Sequence, residues 1–277
     1  MPSQLSLPLA SANITDLIGN TPMVRINKIP TGLCELYIKL ESQNPGGSIK
    51  DRIAVSMIDA AERDGIIKPG GTLVEATAGN TGLALAMVAR QRGYKLILVI
   101  PSKMSQEKTF HLKATGAQII TTRADVSFGH PDYYYDKARS IAAETPGAFF
   151  VDQFSNPANP AAHEATTGPE IWEQMKHKVD AIVFGVGSGG TLTGVGRYFK
   201  KHSPQTEILL ADPKGSVLAP FVRNGVMVEA GTWLVEGIGE DYIPKNCDLS
   251  LVNEAYSISD EESIGTAREV LFKEGIF

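Results

Sequence analysis

No stretch of the 277-residue sequence gathers lysine and arginine into a block, and the net charge is −5. A basic face able to neutralise phosphates is missing, which argues against nucleic acid as a partner. Cysteine is scarce. Cys34 and Cys247 stand far apart with no CxxC, which excludes a disulfide-rich framework; reduced packing residues are expected, with at most one bridge. The five histidines, at positions 111, 130, 163, 177 and 202, lack metal-ligand spacing, so no metal site is expected. The longest apolar runs, 83–89 and 96–100, fall far short of a bilayer span, and no membrane partner is expected. Residues 1–12 have no positive leading region and are interrupted by Pro2 and Pro8, so they read as a short tail. The expected location is the cytoplasm.

What is present is an ordinary globular composition, 43% apolar and 21% charged. It is enough to bury one large α/β domain or two closely joined lobes. From residue 73 onward strand and helix patterns alternate. Compact Val/Ile/Leu runs at 73–76, 95–100, 118–122, 149–152, 180–184 and 207–211 read as strands buried on both faces. Helical patterns occupy 81–92, 106–115, 132–144, 161–176 and 191–202, and a last one at 260–273 is capped by Ser259. The order predicts open, mostly parallel sheets flanked by helices. The loops 123–131 and 155–160 are candidate lobe boundaries. The final Gly275-Ile276-Phe277 reads as the approach to a further strand, so a longer parent chain is expected.

Three stretches carry chemistry. In Asn44-Pro45-Gly46-Gly47-Ser48-Ile49-Lys50-Asp51-Arg52 turn formers lead into a helix. Ser48 is expected to cap that helix, with Asp51 completing a capping-box-like pair. Lys50 then opposes the positive end of the helix dipole, which favours the neutral, nucleophilic amine. The plain alternative is a solvated lysine beside Asp51 and Arg52. In the second stretch, a strand runs into Gly185-Val186-Gly187-Ser188-Gly189-Gly190-Thr191, and a helix follows. Its glycines exceed what a tight turn needs, and its N–H groups suit a phosphate. The third stretch, Thr77-Ala78-Gly79-Asn80-Thr81-Gly82, also opens a helix after a strand. It suits a carboxylate, although an ordinary cap by Thr77 or Asn80 explains it equally well. Gln153, at another strand end, can join it. Tyr133, Tyr134 and Tyr135 read as helix packing.

One rival uses the same residues. Gly185, Gly187 and Gly190 satisfy G-x-G-x-x-G, and Asp212 follows about 20 residues on, as in a dinucleotide-binding dehydrogenase. Against it, Asp212 runs straight into the turn Pro213-Lys214-Gly215-Ser216, and the unit comes late in the chain. A nucleophilic amine, a phosphate cup and a carboxylate cup on neighbouring strand ends together suit pyridoxal 5'-phosphate handling an amino acid.

These motifs, with Gln153-Phe154-Ser155-Asn156-Pro157-Ala158-Asn159-Pro160, resemble the fold-type II pyridoxal-phosphate enzymes of cysteine metabolism. That group contains cysteine synthase and cystathionine β-synthase. The resemblance runs from about Thr15 to the last residue. It implies a two-lobed fold like the tryptophan synthase β-subunit: a larger phosphate-binding lobe (1–46 and 155–277) and a smaller mobile lobe (47–154). It also implies that Lys50 is the covalent anchor of the cofactor and the acid/base at the substrate Cα. Gly187, Ser188, Gly189, Gly190 and Thr191 would hold the phosphate and Asn80 the ring hydroxyl. Thr77, Ala78, Gly79, Thr81 and Gln153 would hold the substrate carboxylate, and Ala78 replaces the serine common there. The stretches 46–52, 212–216 and 236–244 look closer to cystathionine β-synthase, although Glu240 stands where the animal enzymes tend to have tyrosine. The implied substrates are small amino acids with a thiol or sulfide, and the implied assembly is a homodimer. The family's Ser or Thr against the pyridine nitrogen follows the last helix, where this sequence stops. Three readings follow: a β-replacement enzyme, a dehydrogenase, and a homologue that binds the cofactor without catalysis.

Overall fold

The computed structural model describes residues 10–277 except Ala78, Ser105, Ser127 and Phe128. An antiparallel ribbon of β1 (Met23–Arg25) and β2 (Tyr37–Lys39) precedes α1 (Lys50–Arg63). Alternation then begins with β3 (Thr72–Glu75), α2 (Asn80–Arg92), β4 (Lys95–Pro101), α3 (Gln106–Ala114), β5 (Gln118–Thr122), α4 (Tyr134–Glu144) and β6 (Ala148–Phe150). These four strands form one parallel sheet in the order β5-β4-β3-β6. A second set follows: α5 (Ala158–Ala162), a π-helical turn (His163–Thr167), α6 (Gly168–Gln174), β7 (Ala181–Phe184), α7 (Gly190–His202), β8 (Glu207–Pro213), α8 (Leu218–Asn224), β9 (Glu254–Ile258) and α9 (Asp260–Glu274). Its strands form a second parallel sheet, β7-β8-β9.

The period-two alternation of β4 shows why the first sheet is covered on both faces. Leu96, Leu98 and Ile100 enter a core with Ile53, Met57 and Ile58 of α1 and Leu85 and Val88 of α2. Ile97 and Val99 point the other way, to Ala138 and Ala142 of α4. The second sheet departs from that expectation. Phe184, Ile208 and Leu210 pack on Leu192, Val195 and Phe199 of α7, whereas Val183 and Tyr256 are about half exposed. Helices cover one face of this sheet more fully than the other.

Two further expectations change. The continuous helix over 161–176 is broken by the π-helical turn. Pro169 has no N–H to donate one turn back, so the backbone widens just before it. The Ser48–Asp51 capping pair does not form, for reasons given below. The cap on α9 does: Ser259 and Glu262 make a reciprocal capping box. Among the described residues, no helix is long and apolar enough to cross a membrane, and no group of three or more His, Cys, Asp or Glu could hold a metal.

Candidate active site

Lys50 is the first residue of α1, and no side chain caps that helix. The N–H of Lys50 donates to Ser48 Oγ at 3.2 Å, but Asp51 turns away and accepts the Gly46 N–H at 2.5 Å. The turn closed by Gly47 N–H on Asn44 O leaves the Gly46 donor inside the loop, within reach of that carboxylate. Asp51 therefore braces the loop before the helix instead of capping it. On its other side Arg52, read in the sequence as a solvated neighbour, is buried between two carboxylates. Its Nε lies 2.8 Å from Glu41 Oε2 and its Nη1 2.6 Å from Glu170 Oε1, and Lys39 Nζ reaches Glu170 at 2.8 Å. Such charge-assisted pairs fix orientation as well as position. Burial pushes Glu170 up, but Arg52 and Lys39 outweigh it and hold the carboxyl down at about 2. The amine of Lys50 is pushed down by burial, with the charge of Glu240 acting the other way. The lysine is thus partly enclosed and its neighbours Asp51 and Arg52 are engaged elsewhere, which speaks against the solvated-lysine alternative.

The glycine loop joins β7 to α7. Gly189 takes a left-handed backbone, φ 82°, as the residue before α7. It could not carry a side chain in any case, because a Cβ would collide with Cys247; one on Gly190 would collide with Asn159. The loop is clasped between the 153–159 turn and the 237–247 segment. Asn159 Nδ2 donates to Ser188 Oγ at 3.0 Å and to Gln153 O at 2.7 Å, leaving its own Oδ1 buried without a partner. Thr191 Oγ1 lies 3.2 Å from His163 Nε2, and His163 Nδ1 lies 2.9 Å from Thr167 Oγ1. Burial, then the charges of Lys50 and Arg52, keep His163 neutral with its pKa down at about 3. The π-helical turn places this ring beneath the loop. The first-turn N–H groups of α7 have no partner within the helix and can meet an anion.

The third stretch caps nothing. Gly79 precedes α2 with no side-chain cap, so the capping alternative for Thr77 and Asn80 is not realised; Thr77 Oγ1 accepts the Gly79 N–H at 3.3 Å. Thr81 Oγ1 donates to Gln153 Oε1 at 2.6 Å, tying α2 to the end of β6. Beneath them Glu75 is wholly buried and accepts the N–H groups of Ala76 (2.9 Å) and Gln153 (3.2 Å). Burial pushes its carboxyl up to about 8 against those two bonds. The sequence reading assigned Glu75 no role. Ala78 lies outside the described residues.

Lys50, Thr77, Gly79, Asn80, Thr81, Gln153, Gly187, Ser188, Gly189 and Thr191 all line one cleft of about 1630 Å³. Gly190 sits behind the loop against Asn159. Tyr134 and Tyr135 pack against the core between α4 and the first sheet, as expected, Tyr135 edge-on to Phe150 with centroids 5.3 Å apart. Tyr133 and Tyr134 also line the cleft, which the packing expectation did not include. Glu240 enters the cleft as well. Asp212 does not: it is fully buried and accepts the Ala219 N–H at 2.8 Å, at the start of α8. An acid used there is not free for a ribose, and the dinucleotide reading loses its second element.

The donor set fits pyridoxal phosphate. A buried amine biased toward its neutral form is what an aldehyde needs. The glycine loop is a cradle that side chains would fill, and its hydroxyls and N–H groups suit a phosphate. Among curated proteins, the chain is 45% identical over 267 residues to cystathionine β-synthase of Apis mellifera, covering 95% of this chain and 53% of that protein. It is 46% identical over 264 residues to cysteine synthase 3 of Caenorhabditis elegans, covering 94% and 75%. The chain spans about half the length of the cystathionine β-synthases it matches. The crystal structure of a hydrogen sulfide-producing enzyme from Fusobacterium nucleatum superposes with a TM-score of 0.87 at 36% identity, covering 97% of this chain and 86% of that one. The pattern of the pyridoxal-phosphate dependent enzymes matches residues 14–277, and the chain belongs to that family.

Proposed function

We propose that the protein catalyses a β-replacement on serine or an O-activated serine, with homocysteine as the incoming thiol and cystathionine as the product. The observation that supports it is the convergence of the Lys50 amine, the 187–191 loop and the Thr77–Thr81–Gln153 loop on one cleft. In this reading Gly187, Ser188, Gly189, Gly190 and Thr191 hold the cofactor phosphate, Asn80 meets the ring hydroxyl and Lys50 anchors the aldehyde. When bound, the cofactor supplies an electron sink that acidifies the substrate Cα–H and lets the β-substituent leave. Lys50 takes the Cα proton; burial lowers its basicity and so biases it toward the neutral form that can do so. The substrate carboxylate is held by Thr77, Ala78, Gly79, Thr81 and Gln153, and the Thr81–Gln153 bond ties two of these to each other. The smaller lobe, 47–154, closes over that carboxylate and excludes water. The chain works as a homodimer in the cytoplasm.

The choice of homocysteine rests on the stretches 212–216 and 236–244; residues 236–242 line the cleft, and 212–216 brace them from behind, the Glu240 N–H donating to Ser216 Oγ at 3.1 Å and the Val217 N–H to Glu240 O at 3.0 Å. A second reading, cysteine synthase with sulfide and O-acetylserine, is favoured by the 75% coverage of the nematode cysteine synthase. Mixing the protein with serine or O-acetylserine, plus homocysteine or sulfide, and identifying the product by mass spectrometry separates them. Lys50→Ala is expected to abolish turnover and to leave no borohydride-reducible adduct; full activity in that variant would sink the assignment.

A further inference from the structure

Glu240 has no part in holding the cofactor or the substrate carboxylate, yet its position is tightly built. Its N–H is held by Ser216 Oγ, its carbonyl accepts from Val217 N–H and Ser216 Oγ, and the preceding Gly239 N–H donates to Val186 O at 2.7 Å. These bonds anchor the residue to both β8's loop and the strand leading into the glycine cup. The side chain enters the cleft that Lys50 lines, and a Cβ placed on Gly187 would sit 3.9 Å from its Oε1. Among the described residues no protein group donates a hydrogen bond to the carboxyl. A half-buried carboxyl without donors, facing a ligand space, keeps a proton it can give away.

The surroundings agree. Burial, then the charges of Asp241 and Asp212, push Glu240 up to about 8, with Lys50 pulling the other way. Tyr133 and Tyr134 at the start of α4, Tyr242 and Cys247 also feel its charge, and all are themselves held up by burial. They hold their protons more tightly than Glu240 does. At neutral pH Glu240 is thus the acid in this group most ready to donate.

We propose that Glu240 is the proton donor to the departing β-hydroxyl of serine and the acceptor of the proton from the incoming thiol. The inference rests on the β-replacement reading and names the donor that the site is built for. As the Cβ–O bond breaks, its electron pair stays on oxygen, the Glu240 proton joins it and water leaves. As sulfur bonds to Cβ, the S–H bond breaks and that proton restores Glu240. The cycle balances without an oxidant or reductant. It also spares Lys50 from serving both Cα and the leaving group. An acetate leaving group needs no such proton, so the two donors should respond differently to loss of the acid.

Glu240→Gln keeps the shape and removes the transferable proton. General acid catalysis typically contributes roughly 100- to 10,000-fold. The ratio of serine to O-acetylserine turnover, each with homocysteine, is therefore expected to fall by at least about 100-fold in the variant. In the wild type, serine turnover should fall as pH rises through about 8, with O-acetylserine turnover falling less. In the cofactor-free protein, the infrared difference between wild type and variant at pH 7 should contain the C=O stretch of a protonated carboxyl, lost above about pH 8. An unchanged donor ratio, or no protonated-carboxyl band, overturns this assignment while leaving the β-replacement reading intact. A wild type that uses neither donor overturns that reading itself.

Discussion

Replacing Glu75 tests whether the floor of the carboxylate loop is a neutral carboxyl. Its two oxygens accept the N–H groups of Ala76 and Gln153, and none of its surface meets solvent. Burial raises its pKa from an ordinary 4.5 to about 8. Between those values the unfolded chain releases this proton and the folded chain keeps it. Stability is therefore fully present below about pH 4.5 and falls as pH rises through about 8. The slope is about 1.4 kcal/mol per pH unit and halves at the folded pKa, so the wild type loses about 2 kcal/mol from this group between pH 6 and pH 8. Glu75→Gln cannot ionise. Its amide offers one acceptor oxygen, so one of the two buried N–H groups loses its partner at a cost of about 1–3 kcal/mol. The variant should be less stable than wild type in urea at pH 6, and the gap should close or reverse at pH 9. Other groups titrate alike in both proteins and cancel in the difference. A gap that stays constant with pH, or widens in alkali, would refute a neutral Glu75.

Two further substitutions probe the supports of Lys50 and of the glycine cup. Arg52→Met leaves Glu41 and Glu170 without their shared cation; Glu170 keeps Lys39 and the Asn20 N–H, and Glu41 keeps the neutral donors Thr21 and Asn44. Breaking a buried pair in this way costs about 3–5 kcal/mol, measurable as a lowered urea midpoint with unchanged m-value. Gly190→Ala places a methyl group into Asn159, so the loop must shift, and cofactor affinity by equilibrium titration should weaken by more than about tenfold, or 1.4 kcal/mol. Wild-type affinity in that variant would mean the cup does not hold the phosphate.

The elements that were readable in the sequence are those whose burial is local to one run of chain. β4 is apolar at successive positions because both its faces are covered, and that pattern needs no knowledge of neighbours. The ribbon of β1 and β2 is three residues on each side with partly exposed positions, and β9 alternates with Glu254 and Tyr256 outward. Such strands are defined by their partners, not by composition, and the sequence reading missed all three. The π-helical turn left one trace, Pro169, but its consequence, His163 brought beneath Thr191, is a contact 28 residues away in the chain and invisible locally.

The site divides along the same line. Lys50 and the glycine loop were legible because an amine in a first helical turn and four glycines in six positions are locally anomalous. Arg52, Glu75 and Glu240 are charged residues, and in a sequence charge reads as solvent exposure. Only the fold shows that each is enclosed, and enclosure acts on them in different ways. Arg52 stays ionised because Glu41 and Glu170 surround it. Glu75, braced by two backbone donors, has its pKa raised by burial even so, and Glu240 has its own raised with no donor at all. The odd placement of Lys50 is explained by its neighbours too. Asp51, which a capping box would have aimed at the helix, is drawn to Gly46 instead. The first turn of α1 therefore lacks the carboxylate cap that would have offset its positive end, where a neutral amine is wanted. A caps-first reading of that turn predicts a more stable helix; the structure has a less stabilised one, and the difference is what suits Lys50 to act as a nucleophile.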